Sequence, residues 1–162
     1  MMILGLDPGT ALTGYGLVRE QDGQLAAVAY GVIATPSDLA LPKRLQQIYS
    51  ELGRLIASYR PEVSAVEQLF FSRNVRTALV VGHARGVVLL ALADAGLPVF
   101  EYTPLQVKQA LSGYGRAGKA QIQEMVRLLL ALEAVPTPDD AADALAVAIC
   151  HAHSARWAAL GS

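Results

Sequence analysis

The chain has 162 residues, 53% of them hydrophobic and 17% charged, with a formal net charge of −1. These totals exclude a disordered tail, give no global sign of a polyanion-binding protein, and suit a single domain, residues 1–162, with a sizeable core. Its single cysteine, Cys150, excludes an intrachain disulfide and fits a reducing cytosol. The opening MMILGLDPGT has no basic n-region and meets a charge at Asp7, so it reads as a strand and not a signal peptide. No apolar run approaches the ~20 residues of a membrane span without interruption, and a cytoplasmic protein is expected.

In chain order, residues 2–6 (MILGL) form a strand that ends at the turn Asp7-Pro8-Gly9. A second strand is expected over Gly14–Arg19. Asp22-Gly23 signals a hairpin into a third strand, Gln24–Ile33, so the first three strands make an antiparallel meander. Pro42 opens a helix to about Tyr59, with Leu45, Ile48, Leu52, Leu55 and Ile56 on one face. Strand four is Val63–Leu69, and a helix before it favours a parallel crossover that lays it beside strand one. A long helix over about Val75–Ala95 stops at Gly96 and Pro98 and leads to strand five, Val99–Tyr102. A short helix (Pro104–Leu111), a glycine-rich loop (Ser112–Gly118), a helix (Lys119–Leu132) and a last helix (Asp139 to about Trp157) complete the chain. The order βββαβαβαα places helices on both faces of a mixed five-stranded sheet, an α/β fold.

Charge is unevenly spread. Residues 1–69 carry five basic and seven acidic side chains, and residues 128–162 carry one and four. Residues 70–127 carry seven basic (Arg73, Arg76, Arg85, Lys108, Arg116, Lys119, Arg127) against three acidic. A polyanion would meet the middle of the sequence, with acids supplied from either side.

Those acids suggest a metal site. Asp7 ends strand one and Glu67 lies near the end of strand four; if the strands are parallel neighbours, both carboxylates emerge at one edge of the sheet. Close carboxylates repel unless protonated or bridged by a cation, and hard oxygen donors suit Mg²⁺ or Mn²⁺. The last helix, within TPDDAADALAVA, adds more acid. At about 100° per residue, Asp140 and Asp143 stand roughly 60° apart around the axis and Asp139 and Asp143 roughly 40°, so periodicity does not choose between Asp139 and Asp140. Acids in a first helical turn also complement the macrodipole without any metal. Glu67 interrupts an apolar strand, and a charge there needs a partner. Alanines 141, 142, 144, 146 and 148 let this helix approach the sheet closely. His83, His151 and His153 are not read as ligands; the last two point about 160° apart on a helix.

ILGLDPGTALTGYGLV, AVEQLFFSRN, GHARGVVL, VFEYTPLQVKQALSGYGRAGK and DDAADALAVAICHAH resemble, block by block and in order, the RuvC family of Holliday-junction resolvases. The resemblance covers nearly the whole chain. It implies a ribonuclease H-like fold and a crossover junction endodeoxyribonuclease acting in recombination and repair. A tetrad of Asp7, Glu67, Asp140 and Asp143 would be both catalytic and metal-binding; Asp140 aligns three residues before the aspartate of the ADAL segment, leaving Asp139 an outer role. Two Mg²⁺ ions per subunit, with Mn²⁺ as a substitute, would bracket the scissile phosphate and leave a 5′ phosphate and a 3′ hydroxyl. The implied partners are four-way junction DNA, a second copy of the chain in a homodimer, and the RuvA and RuvB branch-migration proteins. Lys108 and Lys119, flanking SGYGRAG, match lysines that face the junction, and Phe70 matches an aromatic at the junction, where a ring could stack on an unpaired base, with Phe71 an alternative. Arg73, Arg76 and Arg116 would contact the backbone. The long helix, apolar on more of its surface than one sheet requires, would form much of the subunit contact.

LDPGT also resembles the phosphate-binding turn of actin-like ATPases, but these need a second such turn in a second domain. A catalytically inactive branched-DNA-binding protein and a related nuclease acting on RNA are the remaining alternatives.

Overall fold

The computed structural model describes residues 1–68, 74–113 and 115–161. The elements are β1 (Met2–Asp7), β2 (Leu12–Gln21), β3 (Gln24–Ala34), α1 (Leu41–Tyr59), β4 (Val63–Glu67), α2 (Val75–Asp94), β5 (Val99–Tyr102), α3 (Pro104–Ser112), α4 (Lys119–Leu129) and α5 (Asp139–Leu160). The strands lie in the order β3-β2-β1-β4-β5. Pairing is antiparallel from β1 through β3 and parallel from β1 to β4 and β4 to β5, as the order of elements predicts. Asp22 and Gly23 have φ of 53° and 83°, the left-handed pair that a two-residue hairpin turn of type I′ requires.

The ends of elements differ from expectation where local chemistry intervenes. β2 begins two residues before Gly14 and continues to Gln21, because the tight turn after it keeps the ladder paired to Gln21↔Gln24. α4 stops at Leu129, short of Leu132: Ala131 takes a left-handed φ of 52° and the Leu132 N–H turns back to the Arg127 carbonyl at 2.9 Å. α5 runs on to Leu160, where the Gly161 N–H closes the helix on the Trp157 carbonyl.

Side-chain alternation divides the core in two. Leu4 and Leu6 of β1 and Val66 of β4 face α1 and α2, packing with Ile48, Leu52, Val88 and Leu92. Ile3 and Ala65 face the other way, into a core built with Val107, Val126 and the α5 residues Leu145 to Ala152. α5 is the most buried helix, all of Ala144 to Ala152 being shielded.

By length and composition α2 is apolar enough to cross a membrane, although Arg76, Arg85 and Asp94 interrupt the run. Only the stripe Ala84, Val88, Ala91 and Leu92 is buried, while Val75, Leu79 and Leu90 are 70%, 59% and 55% exposed.

Candidate active site

Period-two alternation carries the chemistry to one face. Ile3, Gly5 and Asp7 alternate with Leu4 and Leu6, so the Asp7 side chain emerges on the α5 face of the sheet. Glu67 shares the face of Ala65, and the pairing Leu6↔Val66 leaves Asp7 and Glu67 side by side at the carboxyl ends of parallel neighbours.

α5 comes down on this edge over glycines that the sequence reading overlooked. A Cβ on Gly14 would stand 2.0 Å from the Asp140 carbonyl oxygen, one on Gly5 2.1 Å from that of Ala144, and one on Gly16 2.7 Å from the Leu145 side chain. The alanines of α5 are half of the arrangement; the glycines opposite them are the other half. The signal was visible as Gly5, Gly14 and Gly16 at alternate positions, all on the face of Asp7. Gly14 pairs with Asp7 across β1 and β2, so the close approach at Gly14 delivers the first turn of α5 to Asp7.

The result is a crowded group of acids. The Asp7 carboxyl is pushed up from 3.8 to about 8, first by burial, then by the charges of Asp143, Asp140 and Glu67, and by a hydrogen bond with Asp140. Burial and the Asp143 charge raise Glu67, against the pull of Lys108. Burial raises Asp143 as well, opposed chiefly by Lys119. Asp139, which periodicity left as an equal candidate, is turned elsewhere: it is exposed, pairs with Lys119 Nζ at 3.0 Å and accepts from Gln123 Nε2 at 3.1 Å. The hydrogen bond and charge of Lys119 hold its carboxyl below the usual range. Among the described residues, no three acids, histidines or cysteines are drawn into a closed metal cage. The donor set is nonetheless one that fits a divalent cation, since hard carboxylate oxygens that are buried and mutually repelling are stabilised by positive charge between them.

Beside the acids lies a cleft of about 320 Å³ lined by Glu67, Lys108, Lys119 and Asp143 among others. Lys119 reaches Asp143 at 4.0 Å, so both lysines border the acids. Arg76 and Arg116 are exposed. Two members of the basic central stretch are spent internally: Arg85 binds the Glu67 carbonyl and the Glu101 carboxylate, and Arg127 binds Glu124 and, at 3.2 Å, the Leu132 carbonyl. Phe70, Phe71 and Arg73 lie outside the described residues. His151 is buried with its Nδ1 2.7 Å from the Tyr102 hydroxyl, and His153 Nδ1 is 3.0 Å from the Ala110 carbonyl; each ring is occupied away from the acids.

Residues 3–151 match the family model described as crossover junction endodeoxyribonuclease RuvC. The chain belongs to the RuvC family. It is 62% identical over 157 residues to the crossover junction endodeoxyribonuclease RuvC of Heliobacterium modesticaldum, covering 97% of each. The structure of T. thermophilus RuvC in complex with Holliday junction substrate superposes with a TM-score of 0.93 at 39% identity, over 98% of this chain and 96% of that one. The yeast mitochondrial Holliday junction resolvase, at 14% identity and a TM-score of 0.68 over 93% and 77%, shares the fold. This architecture is the ribonuclease H-like one that the resemblance implied, and RuvC membership implies a divalent-metal-dependent nuclease. The two lysines beside the acids give the site a direct test. Lys108→Ala and Lys119→Ala should each weaken junction binding and lower the slope of log affinity against log salt by about one; an unchanged slope in both would remove them from the DNA surface.

Proposed function

We propose that this RuvC-family chain resolves four-way DNA junctions by paired symmetric nicks, with Asp7, Glu67, Asp140 and Asp143 holding two Mg²⁺ ions, for which Mn²⁺ substitutes. It is a DNA endonuclease, a hydrolase of phosphodiester bonds. The observation that carries the site assignment is the gathering of these acids at the ends of β1 and β4, where Asp7 is pushed to about 8 by burial and by the charges of the other three. Cations held by these acids would supply a lowered pKa for an attacking water and positive charge against the departing 3′ oxygen. Asp7 leaves the central strand and interacts with Glu67, Asp140 and Asp143 alike, which suits it to the shared position. Lys108 and Lys119 hold the phosphate backbone, and Lys119 offsets charge developing at the cleaved group. Arg76 and Arg116 serve as outer backbone contacts, and Arg73 and Phe70 join them as readings of the sequence.

A junction presents two strands related by approximate two-fold symmetry, and one chain supplies one such site. A two-fold homodimer supplies two. The exposed apolar side of α2, with Val75, Leu79 and Leu90, supports that helix as the subunit contact. RuvA and RuvB are the further partners, in the cytoplasm. The test is to size the protein in solution and map cuts on both strands of a mobile synthetic junction. The expected result is a dimer that nicks symmetry-related positions. A monomer nicking one strand, or preference for an RNA–DNA hybrid, would sink the assignment.

A further inference from the structure

We infer that Arg85 is a positioning residue for the site: it fixes the end of β4 and thereby sets where the Glu67 carboxylate stands. The inference rests on the reading of Glu67 as a metal ligand. Arg85 projects from α2 beneath the sheet edge, with its side chain only 13% exposed. One guanidinium nitrogen donates to the main-chain carbonyl of Glu67 and the other to the Glu101 carboxylate. Glu101 lies on β5, where its Cα pairs with Val66. A single planar fork thus ties the last residue of β4 to the neighbouring strand and to the helix below.

The guanidinium's direct bonds are to the strand end and to Glu101. The Glu67 carboxyl itself is raised by burial and by the Asp143 charge, against Lys108. Glu67 pairs with Tyr102 of β5, but the register with β1 ends one residue earlier at Leu6↔Val66, so the residue that must be aimed is held by the ladder on one side. The opposite side of the site is tied to the same helix, since the Thr10 hydroxyl, three residues past Asp7, donates to the Val80 carbonyl at 3.0 Å. A recess of about 80 Å³ lined by Asp7, Pro8, Glu67, Gln68, Val81 and Arg85 lies between these ties. α2 therefore underpins both strand ends, through Thr10 on one and Arg85 on the other. Charge-assisted forks of this kind hold direction as well as distance, and groups that orient metal ligands affect metal affinity although they touch no metal.

The experiment compares Arg85→Met, Arg85→Lys, Glu101→Gln and Glu67→Gln in the full chain. Three quantities are measured: the shift of melting temperature with Mg²⁺ concentration, junction affinity in EDTA, and cleavage kinetics. For Arg85→Met, the Mg²⁺ concentration giving half the thermal shift should rise roughly 10- to 100-fold, and kcat should fall while junction affinity in EDTA is kept. Glu101→Gln should move Mg²⁺ affinity in the same direction by less, and Arg85→Lys, which keeps one contact, should recover part of it. If Arg85→Met fails to fold, those two variants decide. Wild-type Mg²⁺ dependence in Glu101→Gln and Arg85→Lys, with or without a melting-temperature loss in Arg85→Met, would overturn the inference and leave Arg85 a residue of general stability. Glu67→Gln separates the two levels. If it weakens Mg²⁺ binding and the Arg85 and Glu101 variants do not, only the positioning role falls; if it too binds Mg²⁺ normally, the proposed site falls with it.

Discussion

Asp7→Asn should lower junction cleavage by on the order of 10³-fold or more while leaving junction binding in EDTA unimpaired. Asp7 is where burial and the charges of Asp143, Asp140 and Glu67 meet, so its loss removes the group best placed to share a cation. The amide keeps the shape and hydrogen bonding of the carboxyl but not its charge, and the basic surface that grips the phosphates is untouched. Because the metal-free wild type holds repelling acids together, the variant should melt no lower than its parent in EDTA, which separates lost chemistry from lost folding. Glu67→Gln and Asp140→Asn should behave alike, and Asp143→Asn should forfeit much of the rate. Asp139→Asn is the contrast: that acid pairs with Lys119 and Gln123, so cleavage should change little. Gel-shift and cleavage assays on one synthetic junction decide all five. Near-normal cutting by Asp7→Asn, or equal losses at Asp139 and Asp140, would show that the ligand set is wrong.

Gly14→Ala should damage both stability and activity, and the second more than the first. The added methyl would stand 2.0 Å from the carbonyl oxygen and 2.5 Å from the carbonyl carbon of Asp140, both main-chain atoms with no rotamer to yield. The first turn of α5 must lift from the sheet. Overpacking of this kind costs about 1–3 kcal/mol, which for a chain of this size lowers the melting temperature by roughly 2–12 °C. Asp140 moves with that turn and leaves Asp7, and misplacement by about 1 Å in such a site costs on the order of 10²-fold in rate. Gly53→Ala is the control: nothing lies within 4 Å of its Cβ, it is exposed within α1, and alanine there should be neutral or stabilising by about 0.5–1 kcal/mol. Scanning calorimetry and cleavage rates measure both effects. A Gly14→Ala protein that melts and cuts like the wild type would show that the close contact between α5 and β2 does not place Asp140.

What the sequence determined by itself is what local periodicity encodes. Alternation along MILGLD and VSAVE points to strands with acids at their ends, and the helix before the second favours a crossover that lays the two side by side in parallel, as they are found. Asp22-Gly23 dictates the hairpin, and the repeat of Leu45, Ile48 and Leu52 dictates α1. These signals lie within one or two elements, and the backbone has few alternatives that satisfy them. Tertiary structure decided the rest. Asp139 and Asp140 are adjacent in a first helical turn, and angle alone does not separate them; the seating of α5 on Gly5, Gly14 and Gly16 turns Asp140 to Asp7 and Asp139 to Lys119. Arg85 counts in the sequence as one more cation of a basic stretch, yet its partners are a carbonyl and a carboxylate on two strands that the chain reaches far apart. α2 is apolar enough in composition to suit a membrane, and only its packing shows that one stripe meets the sheet while Leu79 and Leu90 remain outside. In each case the deciding contact joins residues distant in sequence at van der Waals or hydrogen-bond range, and such a contact exists only once the sheet and its helices have been assembled.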